Sequence, residues 1–551
     1  MKSEFHPFKL AWPDAFSLLV LCVALWCIPI EQLDHLRFIP GDIGDSRLNN
    51  YFLENIFQFL NGNSESLWHL PFFAPFPYIG GFSDNHFGTA PVYLFFRYLG
   101  MGPIDAFQYW FLFGYVANYA ASYYVMRRLG GSVIAASFAA LIFAFALPTT
   151  AHANHVQLHY RFAIPLVTYF ALHFSLTHSP RSFLISLFWL MWQFYVGIYM
   201  GFFALLLYIG IFLAALPLCN TEKKSLCIFY NLKDIFKTFA LTLNRSGVTY
   251  ISGMMFIMLG FVVLFYPYLM VKLAYGFSRG WQETSEMLPR LQSYLIADSS
   301  LWWRGLSGPA FDLPMRHEHQ MFPGLMASVT AIAGVLIWAI KSRTRVGAAL
   351  LGAAVGIVLI TLSLSGLSFW YLLHRLPLFS AIRALTRIDQ VLLVPLAFFS
   401  MITIDYLLQR KNIWRLFLIV AFLIVMTVEF ASVRMPKSEK AEWIARFDAA
   451  NHRIPQIPTT AQAVFVAKPP SEPWFAHEID VMWVSLMRGV KTFNGYSGFV
   501  PPGYSLDYGS DCAEFQRRLQ GYKDFETRNQ ARNAGFESDE VFLFGFTNCQ
   551  K

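Results

Sequence analysis

The stretch Gly247–Lys272, GVTYISGMMFIMLGFVVLFYPYLMVK, decides the fold class. It carries no charge before Lys272 and exceeds the roughly 20 helical residues needed to cross a hydrocarbon core. A helix apolar all round is either buried on every side or solvated by lipid. Ten further stretches repeat the pattern, at about 11–30, 107–126, 131–149, 160–177, 181–197, 199–218, 322–341, 346–365, 389–408 and 413–432, so eleven spans are expected. Composition agrees: of 551 residues 56% are hydrophobic and only 14% charged, against roughly a quarter charged in a soluble domain. The expected fold is mainly α, a polytopic membrane helical bundle with a small C-terminal extracytoplasmic α/β or mixed domain.

Cytoplasmic loops retain Lys and Arg, which sets orientation. One alternate set of loops carries Arg127 and Arg128, Arg181, then Lys223, Lys224, Lys233, Lys237 and Arg245, then Lys341, Arg343 and Arg345, and finally Arg410, Lys411 and Arg415. With Lys2 and Lys9 these are expected inside. The complementary set starts with Glu31, Asp34, Asp42, Asp45, Glu54, Glu65 and Asp84 and includes outer loops at 31–106, 273–321 and 366–388. An odd number of spans divides the chain into a transmembrane part, 1–432, and an outer tail, 433–551. The net charge of +8 is then loop bias, and nucleic acid is not expected as a partner. Of the six cysteines, only Cys512 and Cys549 are placed to pair, because Cys22, Cys27, Cys219 and Cys227 fall in spans or beside the cytoplasm. The apolar N-terminal segment lacks a small-residue cleavage site and reads as a retained first span.

The outer segments look folded. Trp68–Gly81, WHLPFFAPFPYIGG, suits an interfacial surface; Thr89–Leu99 is apolar but too short to cross and reads as re-entrant or interfacial. In the tail, Ala463–Ala467 (AVFVA) predicts a strand, Pro469-Pro470 a break, and the charged run Glu514–Phe536 a surface helix.

Chemistry-bearing residues collect in these outer segments. In GDIGDSRLNN, Asp42 and Asp45 lie three residues apart beside Arg47. They can serve as a general base or hold a divalent cation, or simply form a turn in which Asp45 or Ser46 caps the helix implied by Leu48, Phe52 and Ile56. Asp84 and His86 precede the short apolar segment, where an N-cap is the plainer role. His152, His155 and His159 would share a face if helical, with Arg161 following. No Cys or Glu completes a zinc set, so the choice is between binding a polar head group or sugar and anchoring at the interface. Arg279, Arg290 and Arg304, then His374, Arg375, Arg383 and Arg387 around PLFSAIRALTRID, are retained against the topological bias. That suggests anionic ligands, with lipid anchoring or pairing with Asp389 as the alternative. Glu283 and Glu286 supply a second carboxylate or pair with those arginines. Neither a Walker-type glycine loop nor a GxSxG elbow occurs, and few charges lie mid-span where a proton-coupled transporter keeps them.

This layout resembles the GT-C superfamily of integral membrane glycosyltransferases, which use polyprenyl-phosphate-linked sugars. Asp42, Asp45 and the later Asp84 match its acidic first outer loop. Gly44–Asn49 (GDSRLN) and Phe493–Pro502 (FNGYSGFVPP) look like segments of the YfhO-like bacterial group. The resemblance implies a bacterial inner (cytoplasmic) membrane protein, its N-terminus cytoplasmic, in which Asp45 or Asp42 deprotonates an acceptor hydroxyl on a glycan, lipid or protein, with inversion. Arg383 and Arg387, with Arg161 or Arg304, would hold the leaving phosphate, while Asp84, His86, Arg47, His155 and His159 complete the substrate-binding set. Metal is left open, Asp42 and Asp45 permitting magnesium or manganese. Rival readings are a glycan polymerase or ligase using lipid pyrophosphate, a lipid-linked sugar transporter or flippase, and a non-catalytic scaffold.

Overall fold

The computed structural model describes residues 5–6, 14–218, 227–305, 311–376, 379–409, 413–458, 461–469, 471–505, 512–529, 540–546 and 549. Lys2, Lys9, Cys219, Lys223, Lys224, Pro377, Arg410, Lys411, Pro470, the 530–536 end of the charged run and the Arg245 side chain lie outside the described residues.

A helix occupies each of the expected apolar stretches. In chain order the helices are α1 (Ala15–Leu25), α2 (Asp45–Leu60), α3 (Ala90–Tyr98), α4 (Pro103–Arg128), α5 (Val133–Phe145), α6 (Leu147–Ala151), α7 (Ala163–Thr177), α8 (Pro180–Val196) and α9 (Ile198–Ala215). They continue with α10 (Cys227–Tyr275), α11 (Trp281–Glu286), α12 (Leu325–Ile337), α13 (Arg345–Thr361), α14 (Trp370–His374), α15 (Asp389–Leu408) and α16 (Ile413–Ala431). Six segments of the described residues are long and apolar enough to cross a membrane: 133–151, 198–215, 246–275, 325–342, 385–408 and 413–431. The chain is therefore a mainly helical protein with membrane-helix character.

Packing sorts these helices into inner and outer. The apolar window of 133–151 is 89% buried, whereas those of 246–275, 325–342 and 413–431 are only 22%, 17% and 22% buried. Exposed Phe256, Leu259, Val262 and Val263 on α10, with Ile332 and Leu336 on α12, form the apolar exterior that lipid would solvate. α15 packs between α5 and α12. Its contact with α12 is close because Gly334 has no side chain: a Cβ there would stand 1.8 Å from the Phe399 carbonyl oxygen. Thr330 and Ser400 hydroxyls meet at 3.0 Å, and Thr403 donates to the Thr330 carbonyl at 2.6 Å, the interhelical bonds expected where water is absent. Residues 227–245, expected as a loop, are instead helical and join the span at a kink at Ser246. No glycine or proline interrupts 227–245, so nothing local ends the helix.

The tail packs with residues of the 31–106 segment. Strand β1 (Phe38–Pro40) pairs antiparallel with β2 (Lys437–Glu439), so residues shortly after α1 hold the start of the tail. β3 (Ala463–Val466) lies between β4 (Lys491–Thr492) and β5 (Val541–Phe544) in a parallel sheet, flanked by α17 (Lys440–Arg453), α18 (Trp474–Arg488) and α19 (Cys512–Asn529). The strand alternates: Ala463 and Phe465 face one apolar cluster, Val464 and Val466 another. The first cluster also contains Leu48, Tyr51, Phe52, Phe72, Phe73, Phe76 and Phe82 of the 31–106 segment. The aromatic, Pro-rich loop thus forms core with the tail, and a boundary at 433 divides the sequence without dividing this core. α19 is helical as expected and amphipathic, burying Phe515, Leu519, Tyr522 and Phe525 on one face while Gln516, Arg517, Gln520, Lys523 and Asp524 stay exposed on the other. Cys512 and Cys549 are joined as a disulfide. Cys227 is disulfide-bonded as well, which departs from the expectation that only the tail pair cross-links.

Replacing Gly334 by alanine or valine should force α12 and α15 apart, at a cost of about 1–3 kcal/mol for an overpacked contact. Thermal unfolding in detergent would show a lowered midpoint; an unchanged midpoint would mean that the helices can separate freely there.

Candidate functional site

The site is built on the first turn of α2. Its N-cap is Gly44, with no side-chain cap, so neither Asp45 nor Ser46 is spent on capping. Asp42 closes the preceding turn, its Oδ1 accepting from the Gly44 N–H at 3.0 Å. The Asp45 carboxylate, 34% exposed, is left for other partners. Its Oδ1 accepts from the Tyr496 hydroxyl at 2.7 Å, and its Oδ2 lies 3.4 Å from His155 Nδ1. The opposite face of that imidazole continues the chain, with Nε2 3.3 Å from Glu318 Oε1. Arg387 grips Glu318 with two bonds, Nε to Oε2 at 3.0 Å and Nη2 to Oε1 at 2.6 Å. Asp45, His155, Glu318, Arg387 and Tyr496 thus form one network from five separate segments.

A second cationic patch adjoins it through Tyr199. The Arg387 guanidinium lies 5.3 Å from the Tyr199 ring centroid, and the Tyr199 hydroxyl accepts from the Arg383 backbone N–H at 3.3 Å. Arg383 Nη1 meets Glu283 Oε1 at 2.5 Å, and Arg279 Nη1 approaches the same oxygen at 3.5 Å.

The electrostatics follow from these partners. Burial pushes the Asp45 carboxyl up, but the His155 contact and the Tyr496 hydroxyl outweigh it and hold the group below the usual carboxylate range. Burial likewise raises Glu318, yet Arg387 and His155 hold it well below. His155 is lowered by burial and by Arg387, but its two carboxylate neighbours leave it above the usual imidazole range. Asp42 is raised, by partial desolvation and then by the charge of Asp45.

Other expected site residues are placed differently. Asp84 does not cap the short helix that follows it. Its Oδ1 accepts from the Ile198 N–H and so caps α9, at the break made by Gly197. Burial raises its carboxyl to about 6. His86 Nε2 meets Asn49 Oδ1 at 2.7 Å, and Asn49 also donates to the Asp45 carbonyl, so His86 backs the first turn of α2. Arg47 is buried against Asp480 at 2.5 Å, an anion shared with Arg446, and joins α2 to the tail. The three histidines do not share a helical face, because only a single 3-10 turn, Val156–Leu158, separates His155 from His159. His159 is buried and bonds the Phe111 carbonyl at 2.8 Å, while Arg161 bonds the Phe143 carbonyl and Thr149 at 3.1 Å each. His152 lies 3.9 Å from Asp389. Arg304 is exposed and, among the described residues, has no ion pair joining it to the network. Of the expected set, the structure brings together Asp45, His155 and Arg387, with Asp42 and Arg383 beside them.

Glu318 and Tyr199 were not anticipated. The only local signal for Glu318 is its company in RHEHQ, and Tyr199 opens an apolar helix. The residues fit a divalent cation poorly: Asp45 and Glu318 are committed to protein donors, and no group of three or more His, Cys, Asp or Glu among the described residues is arranged to hold a metal ion. No family model and no curated protein matches the chain.

His86, His152 and His159 are buried with imidazoles lowered to about 3, burial being the first cause in each. Between about pH 6.5 and 3 the unfolded chain binds protons at these positions and the folded chain does not, so stability falls as pH falls. Asp84, raised to about 6, works in the opposite direction between about pH 4 and 6, as do the raised His155 and Asp42, while His319 and His477, lowered by burial, add to the loss. The melting temperature in detergent should drop between pH 7 and 5; a rise would contradict the neutral burial of these histidines.

Proposed function

We propose that this chain is a GT-C-type membrane glycosyltransferase that transfers a sugar from a polyprenyl-phosphate donor to an acceptor hydroxyl on the outer face of a bacterial inner membrane. The observation that carries the reading is the network linking Asp45 to Arg387 through His155 and Glu318, with Arg383 beside it. An ionised, partly exposed carboxylate is then linked through one network to a buried arginine, with the exposed Arg383 next to it, a pairing that suits acceptor activation and phosphate departure. In this reading eleven spans place the N-terminus in the cytoplasm and residues 433–551 outside. The acceptor is a glycan, lipid or protein.

In the reaction Asp45 takes the acceptor hydroxyl proton as the oxygen attacks the anomeric carbon. The bond from that carbon to the phosphate oxygen breaks in the same displacement, inverting the centre, and the phosphate leaves with the bonding electrons. Arg383 meets the charge that develops on it, and the buried Arg387, paired with Glu318, adds its positive field from behind. Tyr496 and His155 keep Asp45 ionised and oriented, and Asp42, more exposed and with a raised carboxyl, is a neighbouring second proton acceptor. No step is routed through a metal. His86, Asp84, Arg47, His159 and Arg161 support the loops that carry these groups.

Asp45→Asn should lower sugar transfer from a polyprenyl-phosphate donor in detergent by about 10²–10⁴, the range for loss of a general base, with little change in melting temperature. Asp42→Asn should retain most activity. Transfer in detergent also separates this reading from a transporter, which moves substrate without forming a glycosidic bond; full activity in the double variant would mean that both acids are structural.

A further inference from the structure

The cation patch beside the network is already filled by the protein's own carboxylate. Glu283 Oε1 sits between Arg383 Nη1, at 2.5 Å, and Arg279 Nη1, at 3.5 Å. Two guanidinium groups converging on one oxygen is the arrangement that recognises a phosphate oxygen. Arg279 is further fixed: it donates to the Gly498 carbonyl at 3.0 Å, and its guanidinium carbon lies 3.8 Å from the Phe499 ring centroid. Arg383 is held from behind by its backbone bond to Tyr199. The Arg279 guanidinium and the Arg383 backbone are therefore positioned by contacts that do not involve Glu283.

Glu283 itself is the loosely held member. It lies on the six-residue α11, its side chain is 34% exposed, and Arg383 is 36% exposed. Arg387, by contrast, is 5% exposed and its bidentate partner Glu318 is buried with it. An incoming anion could replace Glu283 at modest cost, because the displaced carboxylate reaches water, whereas replacing Glu318 would strand a buried charge.

We propose that Arg279 and Arg383 form an anion site for a phosphate group and that Glu283 occupies it as a displaceable stand-in. This deepens the glycosyltransferase reading and rests on it for the identity of the phosphate as a lipid headgroup. The loop that positions Arg279 through Gly498 and Phe499 also carries Tyr496, which bonds Asp45. Entry of phosphate therefore bears on the same loop that orients the acid.

The test is binding to the full chain in detergent, by calorimetry, with a short-chain polyprenyl phosphate in one arm and inorganic phosphate in the other. Glu283→Gln keeps the shape and removes the competing charge, and should tighten binding by about threefold to fivefold, the worth of one partly screened ion pair. Glu283→Ala should do the same, and melting temperatures close to the parent would show that both variants fold. Tightening with both ligands assigns a phosphate site as such; tightening with the polyprenyl phosphate alone assigns a headgroup site needing its lipid. Unchanged or weaker binding in both arms overturns the proposal. Tightening without any sugar transfer would sink the enzymatic reading and leave the anion site standing.

Discussion

Arg387 and Glu318 are both withdrawn from water, and withdrawing two charges costs several kcal/mol each unless geometry and further hydrogen bonds offset it. Here the bidentate fork and His155 supply those contacts. The consequence is mechanical: the segments around 155, 318 and 387 cannot shift independently without leaving a buried charge unpaired. Neighbouring bonds repeat the restraint. The Thr386 N–H donates to the Met287 carbonyl at 3.1 Å, and His319 joins Ser293 to the Glu286 carbonyl. The loop carrying Glu318 is thereby fixed against the loop carrying Arg387, and His155 sets where Asp45 meets them.

The tail completes the arrangement from the other side. Tyr496 reaches Asp45 because its loop is pinned by a second buried network. Arg518 bonds Glu478 at 2.9 Å, Glu514 at 2.6 Å and the Phe493 carbonyl at 3.1 Å, and Glu478 accepts from the Gly495 N–H. Gly495 is required there, since a Cβ would fall 2.1 Å from the Phe73 ring. The same Phe73 belongs to the apolar cluster shared with the tail. Burial of aromatic side chains and a short polar loop therefore act together: the first holds the tail against the 31–106 segment, the second delivers one hydroxyl to the acid.

Much of the helical layout was legible because lipid-length apolar runs have few other solutions. The boundary between the 181–197 and 199–218 stretches is a real break, set by Gly197 and occupied by Asp84. Residues whose partners are distant were harder to read. Arg47, adjacent to the acids in sequence, turns away to Asp480. His159 and Arg161 satisfy backbone carbonyls at the end of the bundle, as buried donors must where water is scarce. Of three histidines in one motif, His155 alone reaches the acid network, because the local backbone is a short turn instead of a helix.

By itself the sequence determined that the chain is a membrane-type helical protein, that many of its acids and arginines lie between the long apolar stretches, and that Asp45 and Arg387 are candidates for chemistry. Composition and periodicity carry that much because the length and polarity of a span are local properties. Only the tertiary structure decided that Glu318 and Tyr199 belong beside them, that Tyr496 crosses from the tail, and that the tail shares its core with the 31–106 segment. Those are contacts between residues tens to hundreds of positions apart, and the pairing of a buried charge depends on which partner the fold brings within reach.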